Sequence, residues 1–408
     1  IYWNPLKILG AIKKMKESLF NYRFEYENQK YIFNTNNNGL IQINNDIFTE
    51  EEREYLRVNR FWVDDNEDEI ALLEREINHN IQKRQKELEL TIALTNYCNF
   101  SCVYCYQNKN EKLMTTEVAN MIIEKIDRIL NDNIFEGINI HYFGGEPLLN
   151  IPVLIYLDEN IKKITDKIGI VYKAFLTTNG SMLSKELLQK VKFSSIQLTF
   201  DGLEKTHDRL RVSDHFHFKE EIELIENIMN FSQAKVLLRT NICKENKDEI
   251  IALHKYIFEK FGNERIEINP NRTIKYHQDD SFEMLSVQEY AEVAYQIKLL
   301  WSEQKGKFEL PVPRSTPCKF PYGNAYAISP EGYCTFCSGS MDQEKKYFFD
   351  VDIENKKMFS VRKECKKCNI LPLCLGGCII QYNLRAGACT YEKYELKNIL
   401  ISYIKHIS

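Results

Sequence analysis

No apolar stretch of this 408-residue chain reaches the roughly 18 residues that cross a bilayer, so a membrane is not an expected partner. Neither sign of charge is in excess. A net charge of -4 gives no basis for expecting nucleic acid or an anionic surface as a partner. The order of a secretory signal is missing too, because Lys13, Lys14 and Lys16 follow the first apolar patch rather than precede it, and a cytoplasmic location is expected. The fourth absence is local. Cys98, Cys102 and Cys105 stand within eight residues, yet no further Cys or His lies within ten residues on either side. A closed zinc site takes four protein ligands, and an iron-sulfur cubane is normally held by four cysteinates. A loop that offers three leaves one iron open to a ligand from elsewhere.

What is present is a core and an unusual stock of thiols. With 44% apolar and 12% aromatic residues the chain can bury a sizeable core, and its length suggests two or three domains. Twelve cysteines in a chain of this size point to metal rather than disulfides, because a reducing cytosol disfavours disulfides and a large core needs no staples. Three occupy 98–105, one stands alone at 243, and eight fall between 318 and 389. Buried apolar or disulfide roles do not favour the C-x3-C-x2-C spacing of the first three.

The periodicity divides the chain. Tyr22, Phe24 and Tyr26 alternate, 31–33 follow, and Asn36 to Gly39 make a turn before Leu40, Ile41 and Ile43. Thr49, with Glu52 three residues on, caps a short helix; a strand at 61–63 and a helix over 70–86 complete a strand-rich unit over 1–87. From 88 to 270 the pattern becomes strand then helix. Strands are expected at 90–95, 137–143, 171–177, 195–200, 235–240 and 265–268, with helices such as 116–130, 152–164, 218–231 and 247–261 between them. Six repeats imply an α/β fold, a partial (β/α)6 TIM-like barrel with right-handed crossovers. Residues 271–317 form a linker with a helix at 287–301 and prolines at 311, 313 and 317, and 318–408 hold the remaining cysteines.

Such folds work at the carboxyl ends of their strands, and polar or glycine-rich punctuation follows each one here. It comprises the cysteine loop, Gly144-Gly145-Glu146-Pro147, Thr178-Asn179-Gly180, Asp201-Gly202, Asn241 with Asn246, and Asn269-Pro270. Ordinary turn chemistry accounts for some of this, but not for six loops in register. His141 and Cys243 are single residues of types that more often serve packing, and neither is assigned a function.

The cysteine spacing, with Asn99 after the first thiol and Tyr104 before the last, resembles the signature of the radical S-adenosylmethionine (SAM) superfamily. The resemblance implies that Cys98, Cys102 and Cys105 hold a [4Fe-4S] cluster whose open iron is chelated by the amino and carboxylate groups of SAM. It implies that Gly144, Gly145, Glu146 and Pro147 receive the amino group. Thr199 and Asp201 stand where the family has a Ser-x-Asp-Gly segment near the ribose. Arg239 is the candidate for the SAM carboxylate, and Arg211, in the stretch from His207, is a second.

Eight thiols suit two further clusters or two zinc sites, so the count alone does not choose. Cys318, Cys337, Cys365, Cys368, Cys374, Cys378 and Cys389 match the seven-cysteine layout of the SPASM domain at every spacing. By that resemblance Cys365, Cys368, Cys374 and Cys389 hold one auxiliary cluster, and Cys318, Cys337 and Cys378 the other. Cys334 is the departure. Either it is the second cluster's fourth ligand, for which a turn must redirect it relative to Cys337, or that cluster keeps an iron open to a substrate thiolate. Three [4Fe-4S] clusters and SAM are thus the expected cofactors.

The order of elements in 1–87 resembles the winged helix-turn-helix-like domain by which peptide maturases hold a leader peptide on a strand edge. A ribosomally made precursor peptide is therefore the expected substrate, with a flavodoxin or ferredoxin as electron donor. The implied reaction cleaves SAM to methionine and a 5'-deoxyadenosyl radical, which takes hydrogen from the peptide and leads to a thioether or carbon-carbon crosslink. A sulfatase maturase, forming formylglycine from Ser or Cys, is the alternative on the same scaffold. A non-catalytic zinc-binding interaction protein is the alternative from another class.

Overall fold

The computed structural model describes residues 14–43, 48–84, 86–132, 135–262, 265–275, 281–322, 324–335, 337–340, 346–351, 358–378 and 389–407; Lys13, at the basic start, lies outside them. Two compact units result. One comprises 1–80, 306–317 and 358–408, the other 81–305 and 318–357. The units interleave along the chain, whereas the sequence boundaries after 87, 270 and 317 are drawn in linear order.

In the first unit, β1 (Met15–Glu17) pairs antiparallel with β5 (Trp62–Asp64), and β2 (Asn21–Tyr26), β3 (Gln29–Asn34) and β4 (Gly39–Ile43) form a meander. Glu27 and Asn28 both take positive φ between β2 and β3, as a two-residue turn matched to strand twist requires. Helix α1 (Glu50–Val58) starts at the capping box of Thr49 and Glu52 that the sequence announces, and helix α2 (Glu69–Arg84) follows β5 in the chain. Neighbouring residues of β3 supply two cores, because successive side chains of a strand face opposite ways. Ile32 packs with Ile43, Leu56 and Phe61. Phe33 and Phe24 pack with Ile370, Leu373, Leu396, Leu400 and Ile404, the last three from the C-terminal helix Glu392–Ile407. Asn78 reinforces this unit by pairing both backbone groups of Phe359, at 2.9 and 2.8 Å.

The second unit is built on a nine-stranded sheet. Six strands run parallel and in chain order: β6 (Glu87–Ala93), β7 (Gly137–Phe143), β8 (Val171–Thr177), β9 (Phe193–Thr199), β10 (Lys235–Ile242) and β11 (Ile266–Arg272). Helices α3 (Thr116–Asp132), α4 (Ile151–Ile168), α5 (Lys185–Lys190), α6 (Glu204–Leu210), α7 (Phe218–Phe231) and α8 (Ile250–Phe261) return the chain between them. Leu90, Ile92, Ile140, Leu176, Ile196, Leu198, Val236 and Leu238 are all but inaccessible, as expected of strands covered on both faces.

The sequence reading finds six strands, and the sheet has three more. β12 (Ala325–Ile328) adds in parallel beside β6, and β13 (Tyr333–Thr335) and β14 (Lys346–Tyr347) extend it antiparallel. They are short, and the four residues of β12 are all buried, so they show no alternation to read. Among the described residues no helix is long and apolar enough to cross a membrane.

Candidate functional site

The cysteine loop leaves the sheet two residues after β6. Thr95 starts it, donating from its hydroxyl to Lys112 O at 2.9 Å and accepting from Tyr97 N at 2.9 Å. The segment after α6 then holds the loop by two backbone bonds, Ser101 N to Val212 O at 2.8 Å and Val103 N to Leu210 O at 3.0 Å. Phe100, between the first two thiols in the sequence, is buried. Burial pushes the Cys98 thiol up and the Cys102 thiol up to about 11, and the neighbouring loop thiols add to the rise. A metal group bound by Cys98 and Cys102 must therefore displace the protons of those two thiols.

Among the described residues no three His, Cys, Asp or Glu side chains are placed around the position of a single metal ion. The donor set, three mutually interacting thiols in a partly buried loop, is the chemistry of an iron-sulfur group with one iron left unligated by protein.

Gly144 and Gly145 bring the loop after β7 against the cysteine loop. A Cβ on Gly144 would lie 2.4 Å from Thr95 O, and one on Gly145 would lie 2.2 Å from Tyr97 O, both backbone atoms. Instead Gly145 N donates to Thr95 O at 2.8 Å and Glu146 N to Tyr97 O at 2.9 Å. The glycines thus serve the junction of two loops. Glu146 is fully buried, and burial holds its carboxyl above the usual range. Its Oε1 accepts from Leu148 N at 3.0 Å and Thr178 Oγ1 at 2.7 Å, and its Oε2 from Asn179 N at 2.6 Å. One lone-pair position, on Oε2, remains for an ammonium. Pro147 begins the buried turn Pro147–Asn150.

On the other side Tyr104 donates its hydroxyl to Oδ2 of Asp201, whose Oδ1 accepts from Asn241 N at 2.7 Å. Thr199, the last residue of β9, stands opposite Arg239 of β10, and Arg239 Nε donates to Asn241 Oδ1 at 2.8 Å. Arg211 is placed differently. It is buried, with Nη2 4.0 Å from Glu221 Oε1 and its guanidinium carbon 5.4 Å from the Phe100 ring. Burial and the Glu221 charge dominate its environment, and the balance keeps it cationic well above its ordinary range.

The sequence reading passes over a second set of polar residues. Asn179 donates to Asn99 Oδ1 at 2.8 Å and lies 3.9 Å from Cys98 Sγ, and Asn99 donates to Ser181 Oγ at 2.9 Å. Asn179 figures there only as loop punctuation, because an Asn in a turn is ordinary. Glu221 carries no motif of its own, and His207, named from the sequence only as the start of the Arg211 stretch, lies 3.0 Å from it. His141 bonds Thr177 at 2.7 Å and is pushed down to about 4 by burial, and Cys243 is buried against Asn246, as packing residues would be.

None of the twelve cysteines is in a disulfide. In the first unit, Cys365 and Cys368 lie on consecutive turns, and Cys374 is pushed up to about 11 by burial. Leu375, Gly376 and Gly377 all take positive φ, so the chain turns back until a Cβ on Gly377 would lie 2.3 Å from Thr390 Cγ2. That turn carries Cys374 to the segment holding Cys389, while Cys378 is exposed. In the second unit Cys334 is buried on β13, Cys337 lies beyond the strand's end, with its Sγ 3.3 Å from Gly339 N, and Cys318 is exposed.

A comparison with known families matches residues 92–257 to the Radical SAM superfamily. Those residues carry a Radical SAM domain. The chain's curated relatives include an uncharacterised protein of Methanocaldococcus jannaschii, 34% identical over 119 residues; the match takes in 28% of this chain and 39% of that protein. A second is the radical SAM cyclopropyl synthase TigE of Paramaledivibacter caminithermalis, 24% identical over 372 residues, 80% of this chain and 76% of TigE. Among solved structures, anSMEcpe with bound AdoMet and Cp18Cys peptide superposes with a TM-score of 0.63 at 18% identity, over 79% of this chain and 100% of that one. Streptococcus suis SuiB bound to its precursor peptide SuiA gives 0.54 at 15% identity, over 91% and 97%. Those two likenesses concern the fold alone.

Proposed function

We propose that this chain is a maturase that modifies a ribosomally made peptide by radical SAM chemistry. The observation that carries the reading is the three-thiol loop, closed on one side by Gly144–Glu146 and on the other by the Tyr104–Asp201 bond. When bound, the iron-sulfur group and SAM supply an electron and a carbon radical able to take hydrogen from a substrate carbon. The chain's own residues position and shield. Glu146 offers its remaining acceptor site to the SAM amino group, while Thr199 and Asp201 border the ribose and Arg239 the carboxylate. The expected product is a thioether or carbon-carbon crosslink, with a flavodoxin or ferredoxin as donor.

The substrate class rests on two further features. TigE and SuiB, a cyclopropyl synthase and a protein solved with its precursor peptide, resemble this chain over most of its length. In the first unit β4 is an edge strand, and a cleft beside it is lined by Leu40, Ile41, Tyr55, Val58, Arg60 and Phe61. An extended leader peptide can add to such an edge through its backbone, which is the role proposed for this winged helix-turn-helix-like region. The C-terminal cysteines are proposed as SPASM ligands, Cys365, Cys368, Cys374 and Cys389 for one auxiliary cluster, and Cys318, Cys337 and Cys378, with Cys334 as candidate fourth, for the other. Formylglycine formation on a sulfatase is the second reading, favoured by the fold likeness to anSMEcpe.

Anaerobically purified protein should be brown with about 12 irons per chain; a colourless zinc protein would refute the proposal. Replacing Cys98, Cys102 and Cys105 with Ala should abolish SAM cleavage and leave about 8 irons. Mass spectrometry of a precursor peptide incubated with reductant and SAM should show loss of hydrogen at the crosslinked residues. Gain of a carbonyl at a sulfatase Ser or Cys would select the second reading.

A further inference from the structure

Arg211 is expected from its sequence context to meet the SAM carboxylate, yet its surroundings suit another task. It is buried in unit two with Glu221, which is wholly inaccessible, and with His207, which lies 3.0 Å from the same carboxylate. A buried guanidinium without a counter-charge is strongly disfavoured, and Glu221 supplies that charge. The pairing is incomplete. Nη2 stops 4.0 Å from Glu221, beyond hydrogen-bond reach, and the buried Nε has no hydrogen-bond partner.

That unpaired face belongs to the cysteine loop. The guanidinium packs over the ring of Phe100, between Cys98 and Cys102, and both neighbours of Arg211 in the chain accept backbone bonds from the loop, at Ser101 and Val103. Those contacts hold the segment that carries Arg211 against the cysteine loop. Cys102 and Arg211 are each the residue between those two backbone bonds, so they lie across from one another.

We infer that Arg211 is a fixed counter-charge for the iron-sulfur group on Cys98, Cys102 and Cys105, a positioning residue anchored by Glu221 that sets how readily the group accepts an electron. The inference rests on the reading of those cysteines as cluster ligands. A cluster gains one negative charge on reduction, and a cation nearby in a poorly screened site stabilises the reduced form. Glu221 opposes it and at the same time keeps the guanidinium in place. The two residues therefore have opposite effects on the same potential.

The test is a potentiometric titration of the full, cluster-loaded chain, following the electron paramagnetic resonance component that changes when SAM is added. In Arg211→Met the ratio of reduced to oxidised cluster at the parent midpoint should fall about tenfold, which is 59 mV toward more negative potential. In Glu221→Gln the midpoint should move the other way. Because Arg211→Met strands Glu221, the double variant Arg211→Met/Glu221→Gln, which removes both charges, is measured beside it and should have full iron content and an intermediate midpoint. Midpoints unchanged at full iron content, or single variants shifting the same way, would overturn the inference alone. Loss of iron from the double variant would reduce both residues to a structural role. Absence of any SAM-responsive cluster in the parent would overturn the ligand reading, and this inference with it.

Discussion

Tyr104 and Asp201, 97 residues apart, are joined by a hydrogen bond from the phenolic hydroxyl to Oδ2. Tyr104 precedes the last thiol of the cysteine loop, and Asp201 follows β9, so the bond ties the loop to the sheet. Burial pushes the Asp201 carboxyl up, while Arg211, then the Tyr104 hydroxyl and the Asn241 amide, favour its charged form. Tyr104→Phe leaves a buried carboxylate oxygen without that partner. It should cost about 1–3 kcal/mol, seen as a lower Tm. Iron bound by the Cys98 loop should fall while the other iron stays, and an unchanged Tm and iron content would show that the bond carries no weight.

Glu146 makes three hydrogen bonds within the protein before any ligand arrives. Glu146→Ala should therefore do two things: weaken SAM binding and loosen the 178–181 loop, with about 1–3 kcal/mol for each buried donor left unpaired. Calorimetric SAM binding together with thermal melts separates them. Weaker binding with no change in Tm would mean that the carboxylate serves only the ligand.

His254 predicts an acid limit on stability. Its Nδ1 accepts from Trp301 Nε1 at 3.1 Å, so a proton there would set donor against donor, and burial pushes the ring down to about 3. His141 is held down to about 4 by burial and the Lys319 charge. Unfolded histidines take up protons near 6.5. Between that value and about 4 the unfolded chain binds more protons than these two sites, so stability should decrease as pH falls, by about 1.4 kcal/mol per pH unit for each. Urea melts at pH 7 and 5 on the parent and on His254→Gln check it; the variant should have the shallower pH dependence.

The first unit offers a test of leader binding. Removing residues 1–85 outright would strip Phe24 and Phe33 from Ile370, Leu373, Leu396, Leu400 and Ile404, and would report on folding as much as on the leader. Val58, 64% exposed beside the cleft, is the better position. Val58→Glu should leave Tm nearly unchanged, as surface substitutions usually do. It should weaken binding of a full-length precursor by roughly tenfold, about 1.4 kcal/mol, with no effect on a leaderless peptide. Equal effects on both peptides would place the leader elsewhere.

Much of this was legible in the chain itself. The cysteine loop, the Gly144–Glu146 loop and Asp201 each follow a strand that alternation or an apolar run marks out, and a strand's end is where a parallel sheet exposes its chemistry. β12 to β14 escape notice because runs of four or fewer residues are too short to show a period, and the residues of β12 are all buried. The sequence names Arg211 only as a second candidate for the SAM carboxylate, and its proximity to Glu221 is not legible there because a side chain's partner cannot be inferred from the residue alone.

The sequence by itself determined where the three thiols cluster and the order of the six parallel strands, since local spacing dictates both. Tertiary structure alone decided that Gly144 and Gly145 serve a contact with Thr95 and Tyr97, that Glu146 is mostly committed to the 178–181 loop, and that Arg211 faces Glu221. It also decided that the first strands share a core with the last helix. The physical reason is the same in each case: those partners lie tens to hundreds of residues away, and only the packed chain brings their charges and surfaces within range.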